Sequence, residues 1–309
     1  MKNKNMLIHV GHSRALATWL QYRLFNCEKA GFGCVNRVSG NIKLINKISE
    51  QFPLKFDHLK LRKELDKEYI KIVKKNLVPV ISEEILVGYP YFGARNIVTN
   101  AENIHKLYPN GKILLIIRNQ IDLIVSHYIK YVFGGGIRSL KSFINDSRRG
   151  YFFAFDKDSL DYYDQYKLYI DIFGKKNLLI LPYEEFCSDP KKFLKKLYKF
   201  CQLPEYYDLD FKERLNLNST PVTIFYKKFI NIITYIGGDH YYLNPYLISV
   251  PFVKKVKKIF DPLIPSKLTN YYVKRLKLQT KQMVGSYFYK SNKKLSDKIN
   301  LNLKKFNYH

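Results

Sequence analysis

The sequence predicts an α/β protein of three layers, with a mainly parallel central sheet flanked by helices and a helical C-terminal cap. Three observations lead there. Short runs rich in Ile, Leu and Val recur at residues 7–10, 78–82, 112–118 and 177–183, bounded by turn signals, as buried strands are. Segments of helical periodicity fill the intervals between them, which is the pattern of parallel strands joined by crossover helices. After Leu203 the strand signal stops, and residues 216–309 read as helical or irregular, basic and aromatic.

Taken in order, the first strand runs into the loop Gly11-His12-Ser13-Arg14-Ala15-Leu16-Ala17 and a helix that begins at Thr18. Further helices are expected over residues 59–75, 96–108, 120–133, 161–173 and 190–201. Pro190 suits a first helical turn, with Ser188 or Asp189 available as its cap. Gly111 and Gly174 interrupt helices ahead of the strands that follow. Beyond the strands, residues 225–236, 252–260 and 267–289 read as helices. No internal repeat or low-complexity linker divides the chain. The expectation is one domain over 1–309, with an α/β core over 1–203 and a helical extension over 204–309 packed on it.

Composition narrows the function. At 309 residues, with 46% hydrophobic and 26% charged residues, the chain can bury a full core. No apolar run approaches the roughly 18 residues of a membrane span. The basic start at residues 1–5 leads straight into a strand pattern rather than a secretory signal, so a cytoplasmic protein is expected. Cys27, Cys34, Cys187 and Cys201 form no Cys-x-x-Cys pair and have no histidine spacing suited to zinc, so reduced thiols and no metal are expected. The net charge of +27 has three readings. In descending order these are compositional drift, steering of an anionic nucleotide or contact with an anionic membrane, and nucleic-acid binding. The lysines are dispersed at helical spacing rather than gathered in a basic tail.

Two segments point to anion chemistry. A strand–loop–helix turn aims backbone N–H groups and the positive end of a helix dipole at one point, and Arg14 adds a fixed charge beside it. Its spelling is neither Gly-x4-Gly-Lys-Ser/Thr nor Gly-x-Gly-x-x-Gly. Arg118 closes the apolar strand at 112–118, and Ser126 lies about two helical turns further on. A guanidinium and a hydroxyl in one cleft would form a second anion site. Pairing of Arg118 with Asp122 is the structural alternative.

Together the two segments resemble the sulfotransferases that use 3′-phosphoadenosine-5′-phosphosulfate (PAPS), in particular a bacterial, carbohydrate-type branch. Ile8-His9-Val10-Gly11 followed by Ser13 through Gln21 resembles the family's 5′-phosphosulfate loop. Arg118 through Ser126 and Tyr128 resembles its 3′-phosphate motif. Ile81-Ser82-Glu83-Glu84-Ile85-Leu86, Leu181-Pro182-Tyr183-Glu184-Glu185-Phe186 with Asp189-Pro190, Arg214 through Ser219, and Ser291 through Leu295 also have counterparts, in order. The resemblance implies a P-loop-like version of the fold and a nucleotide-binding core. The cosubstrate would be PAPS, held by Arg14, Ala15, Leu16, Ala17, Thr18, Trp19, Arg118 and Ser126, with no metal. It further implies in-line sulfuryl transfer to a carbohydrate or glycolipid hydroxyl, and the basic charge adds an expected peripheral contact with the inner face of the membrane.

Within that resemblance Arg14 would stabilise the leaving bisphosphate, and Glu84 is the candidate base, with Glu83 and His12 as alternatives. Glu184 reads as a structural hydrogen-bonding residue. The chain departs from the family pattern at Ala15, Leu16, Ala17 and Gln120. Two hydroxyl donors are replaced by methyl groups, and a β-carbon at position 16 restricts left-handed backbone there. A catalytically degenerate binding protein and a basic nucleic-acid-binding protein are the competing readings. Gly134-Gly135-Gly136 reads as a loop at the acceptor mouth or a helix stop, and Tyr162-Tyr163-Asp164-Gln165-Tyr166 as a sugar platform or helix packing. Acceptor specificity is expected around residues 133–155 and in the C-terminal helices. There Lys254, Lys255, Lys257, Lys258, Lys267, Lys274 and Arg275 could hold an anionic acceptor or touch a membrane.

Overall fold

In the computed structural model the described residues are 5–35, 41–90, 93–145, 155–211, 224–225, 227–229, 231, 259 and 265–308. Five strands form one sheet: β1 (Leu7–His9), β2 (Phe32–Cys34), β3 (Val78–Ser82), β4 (Lys112–Ile117) and β5 (Leu178–Pro182). Every pairing is parallel and the order is β2-β3-β1-β4-β5. The chain leaves β1 toward one edge, returns through β3, and crosses to β4 on the other side. The order therefore reverses at β1, and the loop after it opens at the switch point where ligands of parallel sheets bind. This is the three-layer α/β arrangement, a parallel sheet flanked by helices, that the apolar runs predict.

The helices are α1 (Ala17–Trp19), which continues as a π-helix over Leu20–Leu24, α2 (Asn41–Glu50), α3 (His58–Lys74), α4 (Ile97–Leu107) and α5 (Gln120–Phe133). They continue with α6 (Leu140–Asn145), α7 (Tyr162–Phe173), α8 (Tyr183–Ser188), α9 (Pro190–Cys201), α10 (Ser266–Val284) and α11 (Tyr289–Ile299). The expected helices over 225–236 and 252–260 fall mostly outside the described residues. No helix among the described residues is long and apolar enough to cross a membrane.

The chain divides into two compact units. The first comprises Met1–Asn119, Asp158–Leu215 and Phe288–His309 and holds the whole sheet. On one sheet face Leu7, Phe32, Val80, Leu114, Ile116 and Leu181 meet Leu20, Leu24 and Phe25 beside Phe186 of α8 and Phe193, Leu197 and Tyr198 of α9. The other face is covered by α3 and α7, with α4 packed between them. The sequence dictates α9 directly. Residues 193, 194, 197, 198 and 201 are apolar and buried, while Asp189 caps the first turn by accepting from Lys192 N–H at 3.0 Å. Burying each of its large side chains contributes about 2 kcal/mol. α11 packs on α7, and Ser291 Oγ meets the α7 cap Asp161 at 2.5 Å.

The second unit comprises Gln120–Lys157 and Asn216–Tyr287. In it α10 packs on α5 and α6, and Lys277 Nζ lies 2.8 Å from Asp122 Oδ1. The three glycines after α5 act as a helix stop. Gly136 N–H reaches the Tyr131 carbonyl and Gly135 N–H the Val132 carbonyl, with Gly135 at φ 106°, the geometry of a Schellman termination.

Candidate functional site

The carboxyl ends of the strands face one side of the sheet. β1 and β3 end level, with His9 paired to Ser82. β4 and β5 end level, with Ile117 paired to Pro182, three residues beyond the Leu114 that pairs with His9. From this side emerge the loop at 10–16, the acidic pair Glu83–Glu84, Arg118–Asn119 and Tyr183–Glu184. Glu84 opens a short 3-10 helix, Glu84–Val87, with Glu83 as its extended cap residue, and both side chains are half-buried.

The loop after β1 stays attached to β4 at its start, through Val10 N–H to the Leu114 carbonyl at 3.0 Å. It then turns through two left-handed residues, Arg14 at φ 73° and Leu16 at φ 68°. The restriction expected from the β-carbon of Leu16 is overridden. The left-handed conformation costs about 1–2 kcal/mol in a residue with a β-carbon. The Leu16 side chain offsets part of that cost by packing against the core. Alternating hands along a backbone turn successive N–H groups inward into an anion-binding nest. Leu16 also caps α1 without any side-chain hydrogen bond, and Thr18 is the exposed residue that follows. Ala15 and Ala17 are buried, so their methyl groups fill space beneath the turn.

Arg118 closes the edge from the β4 side. Its Nη1 donates to the Arg14 carbonyl at 2.6 Å, its guanidinium lies 4.8 Å from the Tyr183 ring centre, and its carbonyl accepts from Tyr162 Oη at 2.6 Å. Next to it the Glu184 carboxylate accepts from Asn119 N–H at 2.9 Å and from Tyr308 Oη at 2.7 Å. Burial raises the Glu184 pKa, against the lowering effect of these donors and of Arg118. Asn119 Nδ2 also donates to the Asn307 carbonyl at 2.6 Å, so the segment 307–308 is tied down at two points.

Two histidines lie beneath the loop. His12 contacts Gln165 Oε1 through Nε2 at 3.1 Å, and Gln165 Nε2 donates to the Ser159 carbonyl at 2.6 Å. Gln165 Oε1 can therefore only accept, which places the His12 proton on Nε2. Burial lowers the His12 pKa to about 4, with the Gln165 contact acting in the opposite direction. His9, which sequence reasoning passed over, is fully buried with its Nδ1 2.7 Å from Ser82 Oγ, and burial lowers its pKa to about 3. A β-carbon on Gly11 would come within 2.4 Å of His9 Nε2, so glycine is required where the loop crosses the ring. The signal available in the sequence was a histidine in an apolar strand two residues before a glycine.

The geometry thus brings together Arg14, Ala15, Leu16, Arg118 and, at the start of α1, Ala17, Thr18 and Trp19. Trp19 points away into the core, tilted against Phe186 and stacked on Phe211, with Nε1 donating to the Asp210 carbonyl at 2.9 Å. Only its backbone N–H is left for the turn. Ser126 lies half-buried on α5, in the second unit. Of the tyrosine-rich stretch, Tyr162 and Gln165 brace the site and Tyr166 is buried. Lys254, Lys255, Lys257 and Lys258 fall outside the described residues, while Lys267, Lys274 and Arg275 are carried on α10. Ser13 Oγ and Arg118 Nε are buried without a hydrogen-bond partner, which fits an edge built to receive an oxyanion. No group of three or more potential metal ligands exists among the described residues.

No curated protein matches the chain. Among solved structures, the chain is similar to a sulfotransferase from Alicyclobacillus acidocaldarius, at 16% identity and a TM-score of 0.47, over 74% of this chain and 92% of that one. It is also similar to the sulfotransferase domain from the curacin biosynthetic pathway, at 11% identity and a TM-score of 0.36, over 89% and 96% of the two chains. A third is mouse sulfotransferase SULT7A1 complexed with PAP, at 13% identity and a TM-score of 0.34, over 96% and 90%. Residues 66–208, which carry Glu84, Arg118, Ser126 and Glu184, match the model of a family described as the Sulfotransferase family.

Proposed function

We propose that the chain, as a single sulfotransferase-like domain over 1–309, moves the sulfuryl group of PAPS to a hydroxyl of a carbohydrate or glycolipid acceptor. The observation that carries this reading is the direct contact of Arg118 with the loop of Arg14, the two segments in which anion chemistry was expected. The match of residues 66–208 supports it independently of the loop.

On this reading the backbone of residues 14–19 and Thr18 hold the 5′ end of the donor, and Arg118 holds its 3′-phosphate. The donor supplies the sulfuryl group. Transfer forms one S–O bond to the acceptor oxygen, breaks the S–O bond to the leaving bisphosphate, and delivers the acceptor proton to a base. Arg14 places fixed positive charge where the leaving oxygen becomes negative. Glu84 is the proposed base. His12 is the weaker choice, because a neutral imidazole whose pKa is lowered to about 4 holds a proton poorly at neutral pH. The net charge of +27 steers an anionic donor, and the proposed location is cytoplasmic.

Calorimetry with adenosine 3′,5′-bisphosphate tests the reading. Metal-independent binding that is lost in Arg118→Ala is expected. Absence of binding, or equal binding by the variant, would overturn it. A second reading, binding without catalysis, is favoured by the buried methyl groups of Ala15 and Ala17 where hydroxyl donors would serve transfer. Transfer of labelled sulfate to any hydroxyl acceptor excludes it.

A further inference from the structure

Away from the sheet edge, the connection between α2 and α3 projects apolar side chains into solvent. Around the 3-10 turn Pro53–Lys55, Leu54 is 89% exposed, Phe52 61% and Leu59 72%. A run of eight residues that spends three large apolar side chains on water is not explained by the core. α3, which begins at this tip, buries Leu61, Leu65 and Ile72 toward the sheet. Its opposite side carries Lys60, Lys63, Lys67 and Lys74 with Ile70, all exposed and spaced to share one face.

The charges on that face are unbalanced. The acids of α3 are Glu64, Asp66 and Glu68, and they are paired with Lys47, Arg62 and Lys71. Asp57 accepts from the Lys60 backbone N–H as the helix cap. Lys55, Lys60, Lys63, Lys67 and Lys74 have no acidic partner among the described residues. An apolar tip beside a row of uncompensated ammonium groups matches a surface that is anionic outside and apolar within. A second copy of the chain would bring like charge against it. A nucleic acid would use the lysines and leave the tip in water.

We propose that the tip Phe52–Leu54–Leu59 with the lysine face of α3 docks the protein on an anionic lipid surface, the tip entering the headgroup–acyl boundary. This concerns a face of the first unit and does not depend on the transfer reaction.

Flotation of the full chain with vesicles tests it, using phosphatidylcholine alone and phosphatidylcholine mixed with phosphatidylglycerol. Binding to the mixed vesicles only is expected, with the bound fraction falling about tenfold in Leu54→Asp and in the triple variant Lys63→Gln/Lys67→Gln/Lys74→Gln. These positions are exposed, so the melting temperature of each variant should equal that of the parent. Phe52→Trp should show a blue-shifted emission on mixed vesicles and none on neutral ones. No binding to mixed vesicles, equal binding to both compositions, or full binding by Leu54→Asp each overturns the proposal. So does RNA that displaces the protein from vesicles while binding the parent and Leu54→Asp equally, since the lysines would then belong to a nucleic-acid surface.

Discussion

Arg118 Nη1 donates a 2.6 Å hydrogen bond to the backbone carbonyl of Arg14, joining the end of β4 to the loop after β1. One guanidinium therefore serves two tasks. It fixes the carbonyl of a left-handed residue, and it keeps its Nε, which has no protein partner, at the sheet edge. Arg118→Ala removes this donor to the carbonyl and should lower stability by about 1–3 kcal/mol in urea unfolding. Arg118→Lys should restore most of the stability while recovering little affinity for the bisphosphate, because an ammonium lacks the planar fork.

Leu16 tests how much strain the loop holds. Leu16→Gly removes the left-handed penalty and the packing contact together, so thermal unfolding should show a change of less than about 1 kcal/mol. Leu16→Ile adds a branched β-carbon to the same backbone and should destabilise by about 2 kcal/mol or more.

Tyr308 Oη donates to the buried Glu184 carboxylate, so Tyr308→Phe should cost about 1–3 kcal/mol at neutral pH. Burial already raises the Glu184 pKa, and removal of this donor raises it further. A carboxyl whose folded pKa exceeds its unfolded value destabilises the fold as pH rises through that interval. The penalty in Tyr308→Phe should therefore shrink when denaturation is repeated in mild acid, where Glu184 is protonated.

His9 and His12 have folded pKa values lowered to about 3 and about 4 by burial. The unfolded chain then binds protons that the folded chain refuses, and stability is lost as pH falls from the ordinary histidine value of about 6.5 toward those values. The slope should approach about 1.4 kcal/mol per pH unit for each histidine. His12→Gln should remove about half of this histidine contribution between about pH 4 and 6, measured as unfolding free energy against pH.

The sheet was legible because four of its strands are continuous apolar runs, as parallel strands covered on both faces must be. β2 was not, since Phe32-Gly33-Cys34 is three residues long and has no β-branched side chain. α2 escaped notice because its Ile and Asn residues are modest helix formers, and burial of Ile45 and Ile48 secures it instead. At the site, Arg14 and Arg118 could be picked out by position alone, at the loop and strand ends where a parallel sheet binds ligands. Their supports could not. Gln165 under His12, Tyr162 beneath Arg118 and Tyr308 against Glu184 are paired only by the fold, and nothing in local spacing announces them.

Those pairings also set an order of assembly. The contacts at the sheet edge bridge 104 residues from Arg14 to Arg118, 153 from His12 to Gln165, 124 from Glu184 to Tyr308 and 188 from Asn119 to Asn307. During synthesis from the N-terminus, β1 and its loop are made first, and Tyr308 emerges after every strand is in place. A ribosome-bound chain can thus bury most of its sheet and still lack the hydroxyl that satisfies Glu184 beside Arg118. The edge is thus completed only once a segment 124 residues beyond Glu184 has been made, after the sheet that supports it.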